Sequence, residues 1–283
     1  MSLQNVVDDV CFVFQNIPNQ VPFRDVRQVD LNSDFTCNYL FGLLSSTEQN
    51  VVSTGAQILT QRLSLQEARD SIGEWFGIFK RTNEDTWIVA ADQFGYQPVY
   101  YRYIDSASSQ HGALLIGSSA AAVAYTASTL NDKSVLDATQ VHSVIGTKHA
   151  WGITMQSHHA MSQGTFILLP GEEIAACEQG WTLIDSTLHN EENLDYDSLL
   201  DVGTERAIKQ IQVASQLGVD QKHINLSGGR DSRMVMALLS ASGLAKDFSI
   251  TTMNPETWLP ESARPLLWQD LYVSSAIGDH FGM

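Results

Sequence analysis

Short apolar runs separated by polar turns fill residues 1–190 and predict a region rich in β-strands. The apolar runs 74–79 and 86–91 flank a polar turn at 83–85, a pattern that predicts a β-hairpin. Further strands are predicted at 10–14, 98–101, 114–116, 166–171 and 181–184.

Helices are predicted at three places in the same region. Ser64 followed by Glu67 is the pattern of a capping box and predicts a short helix that runs through Ile72. Alanine-rich segments predict two more helices, at 118–125 and 135–144. Strands therefore outnumber helices before residue 190.

The pattern changes after a polar, acidic stretch at 185–197, which predicts an interdomain linker. We therefore predict two domains, 1–190 and 191–283. A strand at 248–252 and a helix at 271–277 follow, and alternating strands and helices predict a parallel α/β sheet with ligands at the carboxyl ends of its strands. The first helix of this second domain is predicted from helical spacing of Leu200, Ala207, Ile211, Ala214 and Leu217, with Gly218 as its C-cap.

Segment 223–233 joins a strand pattern to a buried-helix pattern through two glycines. Such a turn places unpaired backbone N–H groups at a helix N-terminus, where a phosphate is favoured. Glycine lets the backbone approach a ligand closely, and the hydroxyls of Ser227 and Ser232 can donate to phosphate oxygens. Asp231 would repel a phosphate unless a cation lay between them, which predicts Mg²⁺. The plain alternative is an ordinary strand-to-helix turn.

This segment resembles the SGGxDS pyrophosphate loop of the ATP pyrophosphatase superfamily, and its spacing is not that of a Walker A loop. The resemblance implies ATP and Mg²⁺ as cofactors, with Asp231 at the metal, and a contact between the strand around Ile250 and adenosine. Thr251 departs from the family's usual Gly. Arg230 is either an added phosphate ligand or a surface arginine. The implied ATP- and pyrophosphate-binding residues are Leu226, Ser227, Gly228, Gly229, Arg230, Asp231, Ser232 and Ile250.

An upstream pattern resembles the glutaminase domain of the asparagine synthetase family. Residues 73–79 and 90–101 are similar to its G-x-FA…aRDrfGikPLYY run, and 115–119 and 170–171 are similar to later segments. The resemblance implies an α+β N-terminal nucleophile-type four-layer sandwich, with two antiparallel sheets between helices. An α/β parallel-sheet pyrophosphate-loop domain would follow it.

Three parts of that family's glutamine site have no counterpart in this sequence. The family places a catalytic Cys after the initiator Met, whereas this chain has Ser2, which we interpret as an inert terminus. The NGEIYN segment is absent, and residues 53–57 supply no carboxylate where the family has SDxE. Cys11 lies in an apolar run and is interpreted as a core thiol. Our hypothesis is that the first domain does not hydrolyse glutamine and serves as a scaffold.

The second domain is shorter than the family's synthetase domain. Residues 191–283 contain no counterpart of the later Mg²⁺-binding acid, the catalytic Lys or the acceptor pocket. A parallel sheet cut after two strands would expose a strand edge. We therefore expect the chain to be a truncated fragment of weak or no activity, from a parent protein that is a working ligase.

The composition of the chain disfavours some classes of binding partner. The net charge is −16, from 16 basic and 32 acidic residues, which disfavours nucleic-acid binding. No apolar run approaches the ~20 residues of a membrane span. Three separated cysteines fit a reducing compartment. We expect a cytoplasmic protein that takes a small-molecule or peptide carboxylate as substrate, with a homodimer as one arrangement.

Three functions remain open at this stage. The first is an ATP-dependent, AMP-forming amide ligase of the asparagine synthase type, or its relatives of the β-lactam synthetase and peptide cyclase type. The second is an inactive homologue that acts as a scaffold or binding protein. The third, a transfer-RNA-modifying enzyme, is disfavoured by the acidity.

Other residue clusters have structural interpretations. The acidic pairs 172–173 and 191–192 are interpreted as solvated faces. A metal site and plain loop histidines are the two interpretations of His149, His158 and His159. The aromatic core of the predicted hairpin is expected to consist of Trp75, Phe76, Phe79 and Trp87.

Overall fold

The chain forms two compact units in a computed structural model. The units are Met1–Leu44 with Ser53–Glu191, and Ser45–Val52 with Glu192–Met283. The centre of the predicted linker, residues 186–194, lies outside the described residues. The structure describes residues 10–18, 35–46, 51–54, 63–82, 84–105, 111–133, 135–145, 159–178, 180–185, 195–216, 222–227, 229–252 and 264–281.

Ten strands and three helices precede residue 186 in the described part of the chain. They are β1 (Cys11–Pro18), β2 (Phe35–Ser46), β3 (Val51–Thr54), α1 (Leu65–Arg69), β4 (Ile72–Arg81), β5 (Trp87–Ala91), β6 (Tyr100–Ile104), β7 (His111–Gly117), α2 (Ala120–Thr129), α3 (Ala138–Ile145), β8 (Phe166–Ile167), β9 (Glu172–Cys177) and β10 (Gly180–Asp185). One sheet has the order β1-β7-β6-β8 and the other the order β10-β9-β5-β4-β2-β3. The pairs with a resolved register in both sheets are antiparallel.

A shared apolar core joins the two sheets. Alternate side chains of β4, β5 and β9, including Phe76, Val89 and Ile174, pack in one cluster with Leu114 and Ile116 of β7. Because successive strand residues point to opposite faces, each sheet also has a second apolar face. The predicted hairpin is confirmed by the register of β4 against β5.

Helices cover these second faces. Leu65 and Ala68 of α1 pack with Trp75 of the six-stranded sheet. Val123 and Ala127 of α2 pack with Leu115 of β7 in the four-stranded sheet. The layers are therefore helix, sheet, sheet and helix, as predicted for an α+β sandwich with two antiparallel sheets. Its assignment to the N-terminal nucleophile type stays a prediction.

Helix α1 begins as predicted but ends early. The Ser64 hydroxyl accepts the Glu67 N–H at 3.2 Å, and the Glu67 carboxylate accepts the Ser64 N–H at 2.8 Å, so the capping box is complete. The helix ends at Arg69, whereas the sequence predicted it through Ile72. The Ser71 hydroxyl donates to the Glu67 carbonyl at 2.6 Å and takes the acceptor that a further helical N–H would need. Ile72 instead begins β4.

The interpretation of Glu172 and Glu173 as a solvated pair is wrong for Glu173. This residue is 3% exposed, and its carboxylate accepts bonds from Arg69 Nε at 2.8 Å and Arg69 Nη2 at 2.6 Å. Strand alternation places Glu173 on the same face of β9 as Ala175, which packs in the cluster that contains α1. A bidentate ion pair therefore ties α1 to the sheet.

Asp92 shapes the turn after β5. This carboxylate is 1% exposed and accepts the N–H groups of Phe94, Tyr96 and Gln97 at 2.9–3.1 Å. Gly95 has a positive φ of 65°, which favours glycine at the centre of the turn. The acid of this loop is thus satisfied by the loop's own backbone.

All three cysteines lie within the described residues and form no disulfide. Burial raises the pKa of Cys37 to about 12 and also raises the pKa of Cys11, which packs at the edge of the cluster around α2. The interpretation of Cys11 as a packing thiol agrees with this position.

The predicted aromatic core of the hairpin is confirmed. Trp75, Phe76 and Phe79 are fully buried, and Trp87 packs against the apolar cluster between the two sheets.

The second unit contains three helices, a 3₁₀ turn and a pair of strands in its described part after residue 194. The elements are α4 (Tyr196–Ser215), β11 (His223–Asn225), α5 (Arg230–Ala241), the 3₁₀ turn Ala245–Asp247, β12 (Ser249–Thr251) and α6 (Arg264–Phe281). Asp195 caps α4, and hydrogen bonds from Ser198 lower the pKa of its carboxyl. The predicted helix at the start of the domain, the strand near residue 250 and the helix after it are present, each with shifted ends.

Candidate functional site

Two parallel strands carry the candidate loop. The register pairs His223 with Ser249, Ile224 with Ile250 and Asn225 with Thr251. The two isoleucines pack into the apolar core of the unit, whereas the polar pairs on either side are exposed. The sheet thus has one apolar and one polar face, and its carboxyl end leads directly into residue 226.

An apolar cluster holds the loop and helix α5 in place. Leu226 at the end of β11 is 1% exposed, and Met236 and Leu239 of α5 are 2% exposed. The partly buried residues that complete the cluster are Ile211, Ile224, Leu244, Ala245, Phe248, Ile250, Ile277 and Phe281. The loop is therefore bounded on both sides by residues anchored in the core.

The loop from Leu226 to Ser232 turns from the strand into the helix. Leu226 donates its N–H to the Thr251 carbonyl at 3.0 Å, which continues the parallel ladder by one residue. Ser227 is exposed and Gly228 lies outside the described residues. The Ser227 N–H donates to Ser232 Oγ at 3.3 Å, and Ser232 Oγ donates to the Gly229 carbonyl at 3.2 Å. The structure thus brings Ser227 and Ser232 together.

Gly229 is the N-cap residue of α5, and the helix start has no side-chain cap. The first helical bond runs from the Arg233 N–H to the Gly229 carbonyl at 3.2 Å, so the N–H groups of Arg230, Asp231 and Ser232 have no helical acceptor. In the described part of the chain, α1, α2 and α4 each have a capping side chain. The start of α5 therefore presents unfilled donors to solvent.

The fold does not require glycine at position 229. Its φ of −67° is open to any residue. Among the described residues, leaving out its chain neighbours, the one atom that an added Cβ would approach within 4 Å is Ser227 Oγ, at 3.4 Å. That distance is ordinary van der Waals contact. Because glycine has no side chain, the space at the N-terminus of α5 is open to a ligand.

Three charged side chains surround these donors. Arg230, Asp231 and Arg233 are exposed, and none of them belongs to an ion pair among the described residues. Arg233 donates Nε to the Gly229 carbonyl at 3.3 Å, which keeps its guanidinium beside the loop. The Asp231 carboxylate is an oxygen ligand of the kind that Mg²⁺ prefers, and one carboxylate with phosphate oxygens suits this metal. The residues present therefore fit Mg²⁺ bound together with a phosphate chain.

Ile250, predicted from the resemblance to contact adenosine, lies in the middle of β12. Its side chain packs in the apolar cluster, where its Cδ1 lies 3.3 Å from the position of a Cβ added at Gly278. A contact with a nucleoside would therefore use the backbone of Ile250. The adenosine contact stays a prediction.

Sequence reasoning missed two polar features next to the loop. Thr251 Oγ1 donates to Asn225 Oδ1 at 2.8 Å, at the carboxyl ends of both strands. Ser274 of α6, which is 1% exposed, donates to the Leu226 carbonyl at 2.7 Å. The alternation of polar and apolar residues in 223–226 was a signal for the first feature. A lone serine in a helix gives no comparable signal for the second.

The other candidate sites have few described residues. Ser2, His149 and His158 lie outside the described residues. The ring of His159 packs on Phe166, with 5.0 Å between centroids. Within the described ranges, no three His, Cys, Asp or Glu side chains are grouped so that they could hold a metal ion.

Sequence comparisons with known proteins find no match. No family model matches the chain, and no curated protein matches it. None of the helices that the structure describes is both long and apolar enough to cross a membrane.

Comparison of folds finds similar solved structures. One is a glutamine phosphoribosylpyrophosphate amidotransferase from B. subtilis, complexed with ADP and GMP, with 12% identity and a TM-score of 0.30 over 90% of this chain and 52% of that chain. Another is the allosteric regulatory enzyme of purine biosynthesis, with 11% identity and a TM-score of 0.28 over 80% of this chain and 48% of that chain. The chain spans about half the length of these structures.

Proposed function

We propose that the loop Leu226–Ser232 binds the pyrophosphate part of Mg²⁺-ATP, in an asparagine synthase-like, AMP-forming amide ligase. The observation that carries the proposal is the uncapped start of α5, where three N–H groups lack helical acceptors and glycine leaves space above them. Two hydroxyls and an exposed carboxylate adjoin these donors. An anion at this position would complete the hydrogen bonds that the helix leaves unmade.

Each residue of the loop has a distinct part in this proposal. The N–H groups of Arg230, Asp231 and Ser232 would donate to phosphate oxygens at the positive end of the helix dipole. The hydroxyls of Ser227 and Ser232 would add two donors. Asp231 would hold Mg²⁺, which offsets the repulsion between the carboxylate and the phosphates. Arg230 would add positive charge next to the phosphates.

The proposed ligase would act in two steps, adenylation of a carboxylate followed by acyl transfer to an amine. A carboxylate oxygen of the substrate attacks the α-phosphorus of ATP, the bond from that phosphorus to the bridging oxygen breaks, and pyrophosphate leaves. An amine then attacks the carbonyl carbon of the acyl-adenylate, loses a proton, and AMP leaves as the amide forms. The loop's contribution is to stabilise the negative charge that develops on pyrophosphate.

The sequence of the first unit suggests the source of the amine. Because the sequence has no counterpart of the family's glutamine site, we propose that the amine is free ammonia or a group within the substrate. A glutaminase assay tests this point. Glutamate release that disappears in Ser2→Ala would contradict it.

Substitution of the loop carboxylate tests the proposed function. We expect Asp231→Asn to weaken Mg²⁺-ATP binding by about tenfold or more, because a charge-assisted metal contact is lost. The stability of the free protein should change by less than about 1 kcal/mol, because Asp231 is an exposed residue in the first helical turn. Calorimetric titration with Mg²⁺-ATP measures the affinity, and thermal unfolding measures the stability.

Asp279→Asn is the matched control, because Asp279 is another exposed acid, on α6 of the same unit. This variant should bind Mg²⁺-ATP as the natural sequence does. If the natural sequence gives no Mg²⁺-ATP binding and no thermal shift, the ligase proposal fails, and the scaffold or binding-protein function takes its place.

A further inference from the structure

We infer that Ser274 of helix α6 is a positioning residue for the pyrophosphate loop. It acts through the peptide group that joins Leu226 to Ser227, and it lies behind the loop, where it touches no ligand. The inference deepens the proposed function and rests on it for the ligand, but the contacts that carry it belong to the free protein.

The hydroxyl of Ser274 is buried at the foot of the loop. The residue is 1% exposed, and its Oγ lies 2.7 Å from the Leu226 carbonyl oxygen and 2.7 Å from the Asp270 carbonyl oxygen. A hydroxyl has one proton to donate. Within α6, the Asp270 carbonyl already accepts the helical hydrogen bond from the Ser274 N–H. A hydrogen bond from the Ser274 hydroxyl therefore stabilises the Leu226 carbonyl more than the Asp270 carbonyl.

The Leu226 carbonyl determines where the next N–H points. The peptide group is planar, and the described residues contain no cis peptide bond, so the Leu226 C=O and the Ser227 N–H point in opposite directions. A carbonyl held towards α6 therefore directs the Ser227 N–H away from it, towards Ser232 Oγ at 3.3 Å. Rotation of this peptide group would break hydrogen bonds on both of its sides.

A chain of hydrogen bonds follows from this arrangement. It runs from Ser274 through the Leu226–Ser227 peptide group to the Ser232 hydroxyl, which donates to the Gly229 carbonyl at 3.2 Å. The last two contacts both involve the Ser232 hydroxyl, which the proposed function assigns to phosphate. Ser274 thus presets the direction of the first N–H and the place of the second hydroxyl of the loop.

Two measurements on the full chain test the inference. The exchange rate of the Ser227 amide, followed by NMR without ligand, reports on the peptide group itself. Calorimetric titration with Mg²⁺-ATP reports on the loop. In Ser274→Ala we expect Ser227 exchange to accelerate and Mg²⁺-ATP affinity to fall by about tenfold, as for one lost hydrogen bond to a buried acceptor.

Three further variants separate positioning from plain stability. Ser274→Thr keeps the hydroxyl and should restore both readouts. Ser275→Ala alters the exposed neighbouring serine and should leave both unchanged. Ile277→Val removes a methylene from the same helix and cluster, so it should lower the melting temperature without accelerating Ser227 exchange relative to its neighbours.

The outcomes distinguish the inference from the function it rests on. Unchanged Ser227 exchange in Ser274→Ala overturns the inference, whether or not the chain binds Mg²⁺-ATP. Accelerated exchange in a chain that never binds Mg²⁺-ATP supports the positioning role and overturns the proposed function. If Ser274→Ala does not fold, Ser274→Cys takes its place as the test. The thiol is a weaker hydrogen-bond donor than the hydroxyl, so the exchange of the Ser227 amide should be faster than in the natural sequence. An unchanged exchange rate in Ser274→Cys would overturn the inference.

Discussion

Helices α1 and α5 begin in opposite ways. The first turn of α1 is closed by Ser64 and Glu67, whose side chains satisfy each other's backbone donors. The first turn of α5 begins at Gly229 and has no side-chain cap. Both helices lie against an apolar cluster, so both are held by packing. The difference lies in what completes the helix end, which is the protein itself in α1 and, by our proposal, a ligand in α5.

Three acidic residues, two in the first unit and one in the second, show the same contrast. Asp92 and Glu173 in the first unit are buried and bonded to the protein, through three backbone N–H groups and through Arg69. Asp231 in the second unit is exposed and forms no ion pair in the part of the chain that the structure describes. Internal partners convert a charge into stability, whereas an unpartnered charge remains available for a metal ion. Substitutions should therefore cost stability in the first unit and binding in the second.

The largest stability loss is expected from Glu173→Ala. This change leaves Arg69 partly buried without its partner, which should cost about 3 kcal/mol of unfolding free energy. The value lies at the low end for a broken buried pair because the Arg69 side chain is 18% exposed. Urea unfolding measures it. Asp231→Ala is the matched control and should change stability by less than about 1 kcal/mol.

A double variant sharpens this prediction. Replacing both partners, as Arg69→Met with Glu173→Leu, should recover most of the lost stability, because no unpaired charge remains. Full recovery would mean that the ion pair adds little beyond an apolar contact. Equal stability of Glu173→Ala and the natural sequence would contradict the contrast between the two units.

A smaller loss is expected from Ser64→Ala. Removal of the capping hydroxyl should destabilise the protein by about 1 kcal/mol. The melting temperature of the full chain measures this effect. Gln66→Ala, at an exposed position in the same helix, is the control and should have a smaller effect. A melting temperature unchanged by Ser64→Ala would show that packing of Leu65 and Ala68 suffices to hold α1.

The smallest effect on stability is expected from Gly229→Ser. A serine at the N-cap should raise stability by a few tenths of a kcal/mol, because its hydroxyl can accept an N–H of the first turn. The same hydroxyl would occupy the space and the donors that we assign to phosphate, so Mg²⁺-ATP binding should weaken. Titration of the variant tests this. Undiminished binding would show that the open cap has no part in the site.

Several strands of the first unit could be predicted from short apolar runs that are separated by polar turns. Strongly apolar runs such as those of β4 and β5 were predicted, because both faces of these strands are buried. Strand β9 was missed because it begins with Glu172 and Glu173, and local polarity alone indicated a solvated surface. The Glu173 carboxylate can be buried because it pairs with Arg69, which lies 104 residues away in the sequence. A local pattern carries no information about such a partner.

The candidate loop was predicted because its chemistry is local. Ser227, Gly229, Asp231 and Ser232 lie within six residues, and the strand and helix on either side fix their geometry. The contact from Ser274 was not predicted, because it joins residues 48 apart through one hydroxyl. The sequence therefore indicated the groups that we propose for ligand contact, whereas it gave no indication of Ser274 behind them.

The hydrogen bonds that Ser232 forms within the loop affect the enthalpy of ligand binding. Its hydroxyl donates to the Gly229 carbonyl and accepts the Ser227 N–H in the free protein. A phosphate that recruits these groups must replace those bonds, so binding at this point is an exchange of hydrogen bonds. The enthalpy gained is then the difference between charge-assisted and neutral bonds, and that difference would favour a charged phosphate oxygen over a neutral acceptor at this position.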